Sequence, residues 1–131
     1  MTVLIKDIYI KKREEELLKT LPFDAENIGH KIGYPHLHMD GETYYRKLTM
    51  EPTFNICGMQ SGYTGEGTKT IIPSTAALKM DIRLVVDQEP MDIYHKFCQH
   101  VRQHDPDIEV RYLGSMEPSR TSADLKVVKV V

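Results

Sequence analysis

The sequence predicts an α+β fold, in which an antiparallel β-sheet is covered by helices on one face. Over residues 78–84 apolar side chains alternate with charged ones, which is typical of a strand with one buried face. Over residues 90–104 apolar side chains recur every four positions, which is typical of a helix. After Thr53 the predicted order is strand, loop, strand, helix, strand. This order favours an antiparallel sheet with a helix crossing one face.

The other elements follow from local periodicity and from the residues that begin or end helices. Pro22 stops a first charged helix, Asp24 is a candidate N-cap for a second, and Gly33 closes that second helix. A third short helix is expected around Tyr45 and Leu48. The predicted helices span residues 11–21, 24–31, 43–50 and 90–104, and the predicted strands span residues 3–10, 53–58, 78–84 and 108–113.

Composition limits the possible partners. The chain has 131 residues, enough for one domain with a modest core, and 17 basic residues against 19 acidic ones give a net charge of −2. This balance gives no reason to expect nucleic acid or an anionic membrane as a partner. No apolar run approaches the roughly 20 residues of a membrane span, and the N-terminal residues do not resemble a secretory signal. Cys57 and Cys98 are expected to be buried free thiols in a reducing cytoplasm.

Residues 62–86 hold the candidate site. Gly62, Gly65 and Gly67 punctuate a loop, and the strand that follows places Arg83 on its polar face. An arginine fixed on a strand beside a hydroxyl-rich loop is suited to holding an anionic group. A phosphate-binding P-loop is rejected, because Thr68 breaks the motif spacing and because the loop leads into a strand rather than a helix.

Two motifs in this stretch carry a family resemblance. They are Gly-Glu-Gly-Thr-Lys-Thr-Ile-Ile-Pro at residues 65–73 and Met-Asp-Ile-Arg-Leu-Val at residues 80–85. Together they resemble the lid (dimerisation) domain of M20-family metallopeptidases, in particular the carnosinase-like dipeptidases. The resemblance extends over residues 3–131, including Glu-Pro-Thr-Phe-Asn-Ile at residues 51–56 and Glu-Pro-Ser-Arg at residues 117–120.

The resemblance implies a ferredoxin-like lid domain that lacks its first strand and helix. Residues 1–131 would then form a single M20 lid domain fragment. Within it, residues 1–50 are expected to hold a strand and short helices, and residues 51–116 the strand-loop-strand-helix-strand core. Residues 117–131 would begin the return to an absent catalytic domain.

The resemblance also implies the residues that bind substrate. Arg83 would grip the substrate's terminal carboxylate, while Thr70, thirteen residues earlier, would hydrogen-bond the peptide together with its neighbours Lys69 and Gly67. The alternative is that Arg83 forms an incidental ion pair on a solvated sheet face. No catalytic residue is expected in this chain.

No metal site is expected in this chain either. His36 and His38 lie in a loop, and His100 and His104 lie one helical turn apart, but neither pair has an evident third ligand. The resemblance implies two divalent metals of the zinc type, held by the absent catalytic domain.

The predicted function is therefore that of a lid in an M20 dipeptidase-like hydrolase. It would contribute substrate binding and subunit contacts in a cytoplasmic homodimer that acts on a dipeptide or an N-acyl amino acid. This chain alone is expected to be inactive. The alternative is a free-standing α+β ligand-binding or protein-interaction module without catalysis. Apolar residues at both ends of the sequence favour the first interpretation, since they indicate that the chain is part of a longer protein.

Overall fold

A computed structural model of the chain describes residues 12–122. These residues belong to two compact units. The first is the segment 53–83, and the second comprises the described residues on either side of it. The described elements are four helices and one two-stranded antiparallel sheet, which confirms the predicted α+β class. Covering of the sheet by helices stays a prediction. Within the described residues, no helix is long and apolar enough to cross a membrane.

Three short helices precede the hairpin in the sequence: α1 (Lys12–Thr20), α2 (Ala25–Lys31) and α3 (Gly41–Thr49). All three predicted helices are confirmed. Asp24 caps α2 as expected, because its side chain accepts a hydrogen bond from the backbone N–H of Asn27 at 3.0 Å. Gly33 follows α2 with a φ of 74°, the left-handed conformation that favours glycine at a helix end.

Helix α3 begins two residues before the predicted start because Asp40 caps it. The Asp40 carboxylate accepts hydrogen bonds from the Thr43 backbone N–H at 2.9 Å and from the Thr43 hydroxyl at 2.8 Å. These bonds, the backbone one first, hold the pKa of Asp40 below its ordinary value of 3.8. Helix α3 packs against α1, and surface ion pairs join Glu15 to Arg46 at 3.7 Å and Lys19 to Glu42 at 3.8 Å.

Helix α4 spans Pro90–His104, the same limits that the sequence predicts. The Glu89 side chain caps it by accepting hydrogen bonds from the N–H groups of Met91 and Asp92, and proline occupies the first turn, where no N–H partner is needed. Ile93 and Cys98 are buried, and Phe97 and Val101, four and eight residues after Ile93, are half-buried. The four-residue apolar period therefore marks the packed face of this helix.

The hairpin unit contains β1 (Thr53–Ser61) and β2 (Ala76–Arg83), which pair antiparallel. The register pairs Ile56 with Met80 and Gly58 with Lys79, so Cys57 is an unpaired bulge residue. β1 thus runs three residues beyond its predicted end at Gly58. Because of the bulge, apolar side chains stay on one face of the hairpin and polar side chains stay on the other on both sides of Cys57. One face carries Phe54, Ile56, Met59, Leu78, Met80 and Ile82, and the other carries Thr53, Asn55, Gln60, Lys79, Asp81 and Arg83.

Some predicted elements are not confirmed. Residues 108–113 belong to no strand, since within residues 12–122 none pairs with them. They follow α4 as an irregular segment, and the Tyr112 ring lies 5.0 Å from the Tyr94 ring, centroid to centroid. The predicted strand at residues 3–10 lies outside the described residues. The expectation of two buried thiols is half wrong, because Cys98 is buried but the bulge leaves Cys57 exposed; both are free.

Candidate functional site

The loop between β1 and β2 comprises residues 62–75 and holds three of the four predicted substrate-binding residues: Gly67, Lys69 and Thr70. Gly62 and Gly67 have φ values of 74° and 82°, so the chain turns there through conformations that side chains disfavour. Thr70 is exposed. The loop therefore offers a hydroxyl and an ammonium group close together in the sequence, next to a turn that requires glycine.

Tyr63 organises the first half of this loop. Its hydroxyl donates a hydrogen bond to the Glu66 carbonyl at 2.9 Å, which closes a short turn. Its ring lies so close to Gly65 that a Cβ there would meet ring atoms at 2.7 and 2.9 Å. The Lys69 ammonium lies 5.7 Å from the ring centroid, within the range of a cation–π contact. Sequence reasoning assigned Tyr63 no role, because these contacts form only once the loop has folded.

Arg83 is the last residue of β2 and lies opposite Thr53 in the register. It occupies the polar face with Lys79 and Asp81, as the alternation predicts, and its side chain is exposed. Among residues 12–122, no ion pair involves its guanidinium. The incidental ion pair that was the alternative interpretation is therefore not formed within the described residues.

Arg83 and the loop residues lie at opposite ends of the hairpin ladder. The loop leaves from the Ser61–Ala76 end, whereas Arg83 pairs with Thr53 at the other end. Seven residue steps along β2 separate Ala76 from Arg83, which is roughly 23 Å of extended strand. Within the hairpin unit, no hydrogen bond or ring contact joins Arg83 to Lys69 or Thr70. The structure thus gathers Gly67, Lys69 and Thr70 in one loop and places Arg83 apart from them.

Comparison with known families identifies the domain. The family model for the M20 peptidase dimerisation domain matches residues 13–109, about three quarters of the chain. The chain belongs to this family. Both candidate groups, the loop at residues 62–75 and Arg83, lie inside the matched range.

Individual relatives of this M20 domain are metallopeptidases. A Cys-Gly metallodipeptidase from Candida albicans is 25% identical over 105 residues, which are 76% of this chain and 22% of that protein. The crystal structure of an M20 family metallo-carboxypeptidase from Sulfolobus solfataricus is similar with a TM-score of 0.79 and 34% identity, over 92% of this chain and 32% of that one. The dipeptidase Dug1p from Saccharomyces cerevisiae shares the fold, with a TM-score of 0.64 and 24% identity over 76% of this chain and 22% of its own. The chain thus spans about a fifth to a third of these relatives.

The names of these relatives imply bound metal ions, but the described residues of this M20 domain offer no metal site. Within residues 12–122, no group of three or more histidine, cysteine, aspartate or glutamate side chains converges as metal ligands. The rings of His100 and His104 approach to 4.4 Å between centroids, but they form a pair without a third ligand, and His36 and His38 are 6.4 Å apart. The described residues therefore do not fit a peptidase metal centre.

A second group of polar side chains lies on α4. Tyr94, the exposed His95 and the buried Cys98 line a surface groove with Gln99 and Arg102. The pKa of Tyr94 is raised above its ordinary value of 10.0, first because its hydroxyl is hydrogen-bonded with Cys98 and then because burial disfavours the phenolate. One helix supplies all the lining residues of this groove, so it has no opposing wall to enclose a ligand.

Proposed function

We propose that this chain is the lid of an M20 metal-dependent, dipeptidase-like hydrolase. Its roles are to bind the carboxylate end of the substrate and to hold two subunits together. The whole enzyme would hydrolyse an amide bond in a dipeptide or an N-acyl amino acid in the cytoplasm. Its metals, two divalent ions of the zinc type, would lie outside the described residues, since those residues provide no group of three ligands.

The observation that carries this proposal is that the Arg83 side chain is exposed and forms no ion pair within the described residues. Its guanidinium is exposed at the end of β2, and it forms no ion pair with any residue in the range 12–122. A guanidinium presents paired N–H donors whose geometry matches the two oxygens of a carboxylate. A substrate with a free C-terminal carboxylate supplies such an anion, and the strand keeps the base of the arginine side chain fixed.

The loop would supply polar contacts to a substrate. Its ends lie roughly 23 Å of extended strand from Arg83, more than the length of a dipeptide, so the loop and Arg83 of one chain would contact different substrate molecules in a homodimer. Thr70 can donate or accept a hydrogen bond with a peptide group, and the Lys69 ammonium can attract a further carbonyl or carboxylate oxygen. Gly67 contributes through its backbone, since a φ of 82° sets the direction in which the chain enters residues 68–70. Because Arg83 is far along the ladder from this loop, we expect the effects of substitutions at Arg83 and Thr70 to be additive.

Carboxylate binding by the chain tests the proposal directly. We would titrate the 131-residue protein with N-acetylglycine at low ionic strength and follow the backbone amides of residues 82–84 by NMR. Saturable shifts are expected, and Arg83→Gln should abolish them. Lys79→Gln is the matched control, since it removes a positive charge from the same face of the same strand. Equal binding by Arg83→Gln and the unsubstituted chain would overturn the role of Arg83.

The proposal also makes this chain inactive by itself. Incubation with glycylglycine and added Zn²⁺ should give no hydrolysis above the rate of the metal alone, because the described residues offer no metal centre. Metal-dependent turnover by the pure chain would contradict this assignment.

Self-association is the third part of the proposal. The apolar face of the hairpin exposes Ile56 by 59%, Met59 by 72% and Leu78 by 48%, and each strand of a two-stranded sheet has an unpaired edge. Both features favour contact with a second copy. Sedimentation equilibrium should therefore give a mass about twice the 15.1 kDa of the chain. A monomer at high concentration would contradict association through this domain.

A further inference from the structure

Asn55 makes a cross-strand side-chain hydrogen bond next to Arg83 on the polar face. It lies opposite Asp81 in the register, two positions along β1 from Thr53, the partner of Arg83. Its amide nitrogen donates hydrogen bonds to the Asp81 carboxylate at 3.3 Å and to the Thr53 hydroxyl at 3.4 Å. The two strands are thus joined by side chains next to the proposed anion site.

Asp81 has two cations as neighbours on its own strand, Lys79 on one side and Arg83 on the other. Residues two apart on a strand face the same way, with roughly 7 Å between their Cα atoms, a distance that long side chains can span. An ion pair with either would be the ordinary outcome on a solvated sheet face. Within the described residues Asp81 forms neither, and its carboxylate instead accepts a hydrogen bond from the amide of Asn55.

Among the described residues, the Asp81 carboxylate is an anion placed to compete directly with a substrate carboxylate for Arg83. It is covalently held two residues from Arg83, so its effective concentration near the guanidinium is high whenever its side chain is free to turn. A hydrogen bond to Asn55 directs it across the ladder, toward β1 and away from the neighbouring arginine.

We propose that Asn55 is a positioning residue that holds the Asp81 carboxylate across the hairpin and so keeps Arg83 available to a carboxylate ligand. This inference rests on the proposed role of Arg83 and adds the cause of its availability. Without the Asn55 amide, Asp81 turns to Arg83, and an external carboxylate must displace it.

The size of the effect follows from the strength of exposed ion pairs. Such pairs shift an equilibrium by roughly 1.4- to fivefold. Loss of the Asn55 amide should therefore weaken carboxylate binding by roughly 1.4- to fivefold, and the weakening should fade as salt screens the new pair.

A double-mutant cycle tests the inference by the titration with N-acetylglycine described above. Asn55→Ala should raise the dissociation constant, whereas Asp81→Asn should not raise it, because the competing anion is gone. The double variant Asn55→Ala/Asp81→Asn should bind as well as Asp81→Asn. Gln60→Ala is the matched control, since Gln60 lies on the same face of β1 but opposite Ala77, and it should bind like the unsubstituted chain.

A merely structural role for Asn55 predicts a different pattern. If Asn55 only stabilised the hairpin, the double variant would bind as weakly as Asn55→Ala or more weakly, and that result would overturn the inference. An unchanged dissociation constant in Asn55→Ala would overturn it too. Failure of the inference is distinguishable from failure of the proposed function, because in the first case Arg83→Gln still abolishes binding and in the second it does not.

A ligand-free measurement keeps the inference testable even where carboxylate affinity is very low. In Asn55→Ala, the side-chain carboxyl carbon of Asp81 and the Nε–Hε group of Arg83 should both shift relative to the unsubstituted chain, and added NaCl should reverse the shifts. Side-chain resonances that do not move on loss of the Asn55 amide would show that Asp81 does not turn to Arg83.

Discussion

The helices and the hairpin keep their shapes by different means. Among the described residues, the buried apolar side chains are Leu18 in α1 and Pro90, Ile93 and Cys98 in α4. The hairpin buries none of its own; Ile56 is 59% exposed and Ile82 is half-buried. Packing therefore stabilises α4, whereas the hairpin depends more on its backbone ladder and on the glycines of its loop. The proposed ligand contacts lie on the element that depends least on a core.

The largest expected loss of stability comes from truncating a buried side chain of α4. Ile93 is only 6% exposed, so Ile93→Ala should lower the free energy of unfolding by about 2–5 kcal/mol. The same truncation on the hairpin, Ile56→Ala, should cost about 1 kcal/mol or less, since most of that side chain is already in water. Urea denaturation followed by circular dichroism measures both. Equal losses for the two variants would remove the contrast between α4 and the hairpin.

The next effect tests the dependence of the loop on glycine. Gly67 has a φ of 82°, and a Cβ added there would have no atom within 4 Å, so Gly67→Ala introduces conformational strain without a clash. We expect a loss of about 1–2 kcal/mol, the ordinary cost of a left-handed conformation for a residue with a Cβ. Gly67→Asn should recover part of it, because asparagine tolerates this conformation. Chemical denaturation of both variants checks the order, and an alanine variant as stable as glycine would show that the turn does not need this φ.

Removing the cap of α4 should also lower the free energy of unfolding, but by a smaller amount. Glu89→Ala removes the acceptor for two backbone N–H groups and should cost about 1 kcal/mol of stability. Glu89→Asp keeps a carboxylate and should retain much of the stability. Glu109→Ala is the control, because that exposed side chain lies after the helix and pairs with Arg111 on the surface. A denaturation midpoint for Glu89→Ala equal to that of Glu109→Ala would mean that the cap adds nothing.

Sequence and structure agree best where the determining contacts are local. The limits of α4 could be predicted because Pro90 and the pair Asp105–Pro106 act within one turn of the helix ends. The face that Arg83 occupies could be predicted for the same reason, since alternation along one strand is enough. The contact between Asn55 and Asp81 could not be predicted, because it depends on a pairing register between residues 26 apart.

The end of β1 could not be predicted from the sequence for the same reason. Strict alternation breaks at Cys57, and the sequence offers no pairing partner that would show the break to be a bulge rather than a strand end. The role of the candidate site residues remains a prediction from the motifs at residues 65–73 and 80–85, since the structure places these residues without a substrate.

The smallest expected effect is the loss of the stability that the Asp40 cap contributes, and it occurs only at low pH. The lowered pKa of Asp40 means that its carboxylate is stabilised in the folded chain, so its contribution to stability is present above 3.8 and is lost as the pH falls through the folded value. Asp40→Asn retains a capping oxygen without the charge. Between about pH 5 and 2, the Thr43 amide resonance should therefore move in the unsubstituted chain and move less in Asp40→Asn. Identical titration curves would show that the cap does not depend on charge.

The bulge at Cys57 also determines where the chain tolerates a change in length. Cys57 is the extra residue of β1, so deleting it would leave Phe54, Ile56 and Met59 on one face and restore regular pairing with β2. Deleting Asn55 instead would move Phe54 to the opposite face from Ile56. A one-residue deletion should therefore be accepted at position 57 and rejected two residues earlier. Natural length variation in this strand is expected at the bulge.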